Sequence, residues 1–137
     1  MKGIDLLARV DAVAALQAEF GGRDYQPGTV DCVVMARAHL ARLGHVVPEL
    51  PAYTTERGGL MKLKRLGYAN IAALLDEVLE PIPPARMMVG DVALLQGDVG
   101  DALTICAGRK LIGFREGFNA LVNQVDCPVG TGMAGLR

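Results

Sequence analysis

Along the first third of the chain, apolar residues recur with a period of about 3.6. Leu6, Val10, Val13, Leu16 and Phe20 fall on one stripe, which predicts a helix over residues 4–20 closed by Gly21 and Gly22. Residues 23–30, RDYQPGTV, carry a Pro-Gly turn signal and read as a loop. A second helix is predicted from Asp31 to Leu43, with Val33, Ala36, Leu40 and Leu43 on its core face and Gly44 as its stop. Prolines mark 45–55 as a crossing loop. The helical pattern near 56–66 is weakened by two glycines, whereas 69–80 places Ile71, Leu74, Leu75 and Val78 on one face.

Past Ile82, Pro83 and Pro84 the period shortens to that of strands. Residues 91–96, 102–106, 110–114 and 118–125 read as four strands, with turns at Gly108 and at Glu116-Gly117. In 102–106, Leu103 and Ile105 alternate with Ala102, Thr104 and Cys106. Helices followed by an antiparallel meander predict an α+β fold. The end of the chain, CPVGTGMAGLR, is glycine-rich and has no period. It predicts an irregular tail at about 127–137 on a single domain spanning 1–137.

Composition narrows the function. The 137 residues are 51% hydrophobic and 21% charged, with a formal net charge of −1. That balance excludes a disordered chain, and it gives no electrostatic footprint for nucleic acid or an anionic membrane. With no Trp, three Tyr and three Phe, no aromatic platform for bases or sugars stands out. No apolar run is long enough to span a bilayer. Asp5, Arg9 and Asp11 interrupt the N-terminal apolar stretch, so it reads as an amphipathic helix and not a signal peptide. Three cysteines do not make a disulfide framework.

The candidate chemistry centres on Cys32. Asp31 is a good N-cap, and Cys32 is then the first residue of a helix, where the helix dipole favours thiolate. The carboxylate of Asp31 opposes that effect. Two readings stand: a reactive cysteine, or a small buried cysteine at a helix start. A zinc site from Cys32, Cys106, Cys127 and a histidine lacks any supporting ligand spacing. No cofactor is expected.

A glycine loop with Tyr25, "DC" opening a helix, "LG" closing it, a proline-rich connection and then "GDVALLQ" follow one another over roughly residues 20–115. This order resembles the NlpC-type branch of papain-like cell-wall peptidases, and is closest to short phage and prophage tail proteins of that fold. The resemblance implies N-terminal helices packed on a small antiparallel sheet. It puts Cys32 at the nucleophile position and Gly90-Asp91 at the opening of the first sheet strand. The base, a histidine in that family, would open the next strand. This sequence has Ala102 there, which cannot take a proton.

The chain has two histidines. His39 lies seven residues beyond Cys32 on the same helix, about 10 Å along the axis, where a nucleophile and its base must lie about 3 Å apart. His45 follows the far end of that helix and reads as a loop residue. Asp98 and Asp101 lie near the base position, but a carboxylate is a poor base for a thiol and holds it protonated. The expectation is therefore a structural component of a phage or phage-like tail tip or baseplate, built on a catalytically degenerate peptidase fold. It would be made in the bacterial cytoplasm, reside in the virion and contact other tail-tip proteins. The first alternative is an active cysteine peptidase or amidase that cleaves peptidoglycan peptides. The second is a host protein that binds a small peptide or acyl group in the remnant cleft.

Overall fold

A computed structural model describes residues 5–97, 100–108, 110–114, 121–126 and 133–137. It is an α+β structure. Four helices come first, α1 (Leu6–Phe20), α2 (Cys32–Arg42), α3 (Glu56–Arg65) and α4 (Ile71–Val78). The strands follow as β1 (Pro81–Ile82), β2 (Val92–Gly97), β3 (Gly100–Cys106), β4 (Lys110–Phe114), β5 (Leu121–Asp126) and β6 (Met133–Leu136).

Each helix starts where the sequence supplies a side-chain cap. Asp5, Asp31, Thr55 and Asn70 accept the backbone N–H groups of Ala8, Val34, Gly58 and Ala73. The buried face of α1 is rotated from the expected stripe. Arg9, Ala12, Val13, Leu16 and Phe20 face inward, while Leu6 and Val10 are 54% and 46% exposed. The cause is Arg9, whose guanidinium is drawn inside by a buried carboxylate described below. The inner face of α2 shifts in the same way to Met35, Ala36, His39 and Leu40. α3 forms despite Gly58 and Gly59. A side chain at Gly59 would meet the Tyr53 ring at 3.0 Å, so this glycine lets the ring lie against the helix.

The strands make one antiparallel sheet in the order β1-β6-β2-β3-β4-β5. The expected meander is β2 through β5. Val92, Leu94, Leu103, Ile105, Ile112 and Leu136 join the main core with Leu16, Phe20, Met35, Leu40 and Leu74 from the helices. Ala93, Cys106 and Leu111 form a smaller cluster with Met87 and Leu95.

The expected irregular tail is corrected over Met133–Leu136. This segment is β6, inserted between β1 and β2, with Leu136 opposite both Pro81 and Val92 and 3% exposed. The rest of 127–132 lies outside the described residues. A strand with neighbours on both sides needs no amphipathic period of its own. Its glycine is a packing requirement, because a side chain at Gly135 would meet the Ile82 carbonyl at 2.9 Å and Met87 at 3.0 Å. The loop 45–55 is also tied down in part. Val46 is 90% exposed, but Val47 and Leu50 pack on the core and Tyr53 hydrogen-bonds to buried Asp31.

Candidate functional site

Cys32 opens α2 and is partly buried, with the N–H of Leu103 in β3 beside its sulfur. The backbone of position 102 therefore runs next to the thiol, opposite Leu95 in the sheet. The side chains of Ala102 and Asp101 lie outside the described residues, as do all of Asp98 and Cys127.

The surroundings of the thiol are anionic and phenolic. Asp31 is 4% exposed and fully engaged. Its Oδ1 accepts the Val34 N–H at 2.8 Å, and its Oδ2 accepts the Gly28 N–H at 2.8 Å and the Tyr53 hydroxyl at 2.6 Å. Tyr25 donates its hydroxyl to Glu56, the first residue of α3. The Tyr25 ring also meets Phe114 of β4 edge-on, with centroids 5.4 Å apart. Burial, then the charge of Asp31, push the Cys32 thiol up to about 11. Glu56 acts in the same direction, and together these outweigh the Leu103 N–H and the helix start. The same burial raises both phenols, each next to its carboxylate acceptor.

Neither histidine reaches this end. His39 is fully buried, and its Nε2–H donates to the Gly90 carbonyl at 2.9 Å. Burial lowers its pKa, as do Arg9 and Arg42 nearby. His45 lies beyond α2 and is partly buried, with its pKa lowered by burial and by Arg9.

Gly90-Asp91 stands at the opening of β2, where the sequence order placed it, and it is a structural joint. Asp91 is 1% exposed and pairs with Arg9 of α1 and with Arg137, whose Nε and Nη2 lie 3.0 and 2.8 Å from the carboxylate. The Met88 N–H adds a further bond at 2.8 Å. The Gly90 N–H donates to Cys106 at 2.8 Å, and the Cys106 N–H donates to Asp91 at 2.8 Å.

Sequence reading finds Cys32, Asp31 and Tyr25. It gives Tyr53 and Glu56 no chemical role, because only the folded chain brings the 45–55 loop and the start of α3 to the thiol. One signal was available. Gly58-Gly59 inside a helical pattern marks a place where a ring comes close.

Among the described residues, no three potential metal ligands converge and no helix is long and apolar enough to cross a membrane. Comparison with curated proteins and with solved structures returned no match. A family model described as a domain of unknown function, DUF6950, matches residues 8–127. With most of its length matched, the chain belongs to the DUF6950 family.

Proposed function

We propose that this chain is a papain-like domain of the NlpC type that no longer hydrolyses peptides and serves as a structural part of a phage or phage-like tail tip. The observation that carries the catalytic half is the setting of Cys32. Its thiol sits at a helix start beside the Leu103 N–H of β3, and the resemblance assigns the nucleophile of that fold to this residue. It is surrounded by two carboxylates and two phenols and held protonated up to about 11. A thiol in that state is a poor nucleophile at neutral pH. Both imidazoles of the chain are accounted for at the other end of α2 or beyond it. The tail-tip half rests on the resemblance of the motif order.

Two measurements test the reading. The purified chain should not turn over peptidoglycan peptides, and Ala102→His should bring back slow turnover. Turnover by the unaltered chain that disappears in Cys32→Ser would restore the peptidase. Mass spectrometry of purified phage-like particles should find the chain in fixed proportion to the other tail subunits. Its absence from such particles would remove the virion role.

A further inference from the structure

The net charge of −1 conceals a local excess. Residues 56–66 hold four cations and one carboxylate, and the +3 they carry leaves the rest of the chain at −4. No Asp or Glu occurs between Glu56 and Asp76. The four cations, Arg57, Lys62, Lys64 and Arg65, all lie on α3. The ion pairs among the described residues use Arg9, Arg42 and Arg137, so none of the four has a carboxylate partner there. Glu56 is engaged by the Tyr25 hydroxyl.

α3 is buried through Gly59 and Leu63. Arg57, Leu60, Met61, Lys64 and Arg65 are exposed. At about 100° per residue these five share an arc of about 140° on the side away from the core. Leu60 and Met61 are 41% and 49% exposed, with Arg57 before them along the helix and Lys64 and Arg65 after. Leu66 follows at 46%. Helix stability does not account for this face. Lys62, Lys64 and Arg65 suit the last turn, but Arg57 stands in the first, where the helix dipole opposes a cation. Adjacent apolar side chains held in water gain nothing for the fold either.

The charge calls for an anionic partner, and the apolar pair selects among anionic partners. A nucleic acid backbone would take the cations and leave Leu60 and Met61 facing phosphates and sugars. A stable protein interface takes about 800 Å² on each side, and the outward face of a helix about 15 Å long supplies a small part of that. A lipid bilayer sets no minimum area. Its headgroups attract each cation separately, and apolar side chains enter the headgroup boundary without a shaped socket. The long stems of Lys and Arg let their charges stay among the phosphates while Leu and Met go deeper. We propose that the outward face of α3 docks on an anionic lipid surface, with Leu60 and Met61 entering the headgroup layer and Arg57, Lys64 and Arg65 on its phosphates. This docking rests on neither the state of Cys32 nor the virion role, so its failure leaves both standing.

The test is flotation of the purified chain with lipid vesicles. It should rise with vesicles of equimolar phosphatidylcholine and phosphatidylglycerol and stay behind with phosphatidylcholine alone. Added salt should weaken the binding. Arg57→Gln with Arg65→Gln should weaken it about thirtyfold and flatten its salt dependence. Leu60→Ser with Met61→Ser should weaken it several-fold at every salt concentration and leave the salt dependence unchanged. Lys110→Gln removes an exposed cation on β4 and should change nothing. All these side chains are exposed or face water, and circular dichroism reports whether each variant stays folded. Failure of the unaltered chain to float with the anionic vesicles would overturn the docking. So would equal flotation with phosphatidylcholine alone, or an equal loss in Lys110→Gln. Full binding by a folded Leu60→Ser, Met61→Ser chain would also overturn it, and retention of that variant on duplex DNA would move the face to nucleic acid.

Discussion

Two buried aspartates mark the two ends of α2, and they do opposite things. Asp31 caps the helix at Cys32, and its partners among the described residues are neutral: two backbone N–H groups and a phenol. Asp91 lies near the helix's other end and is held by two guanidinium groups and a backbone N–H. Burial, and after it the uncompensated charge of Asp31 next door, keeps the Cys32 thiol protonated. The charge of Asp91 is neutralised in place and ties α1, β2 and the residue after β6 together. A buried carboxylate with neutral donors sets the chemistry around it. One with cationic donors is a fastening.

That contrast breaks first at Asp91. Asp91→Ala leaves Arg9, itself 8% exposed, with a buried charge and no carboxylate. The expected loss is about 3–5 kcal/mol of stability, read as a shift in urea midpoint. Arg137→Ala should cost much less, because its side chain is 27% exposed. Equal losses from the two variants would contradict the fastening.

The Asp31 end is sharpened by the pH profile of Cys32 alkylation. The rate should rise towards a midpoint of about 11. At pH 8 it should be roughly a hundredfold slower than for an unperturbed cysteine. Asp31→Asn keeps a capping side chain and removes the charge, so the midpoint should move down. A midpoint near that of a free thiol in the unaltered chain would disprove the electrostatic account.

The smallest effect concerns His39, which lies against the Gly90 carbonyl beside the Asp91 clasp. Burial, Arg9 and Arg42 hold its folded pKa below the ordinary 6.5, so the unfolded chain binds a proton first as pH falls. Stability from this group is complete above about 6.5 and is lost as pH drops below it. The slope cannot exceed about 1.4 kcal/mol per pH unit for one proton. His39→Gln should flatten the dependence of the urea midpoint between pH 7 and 5, leaving only the share of His45. An unchanged slope would mean that His39 is not the titrating group.

Much of this could be read along the chain. Caps, glycine stops and periodicity located α1 through α4 and the meander β2 to β5. The Asp31-Cys32 pair at a helix start was legible because a cap and the residue after it are local. The direction of the thiol's shift was not, since the dipole of the helix start and the charge of Asp31 oppose each other. Burial decided between them. Which way α1 faces depended on Arg9 finding Asp91 some eighty residues away, a pairing with no local signature. β6 was invisible for a related reason. A short glycine-containing strand gains its stability from the two neighbours that flank it and from Leu136 entering the core, and neither is encoded in its own pattern. Local sequence determined where elements begin and end, because caps and turns act over three or four residues. Tertiary structure alone decided which polar groups are taken out of water together, because desolvation and charge pairing depend on distance in space.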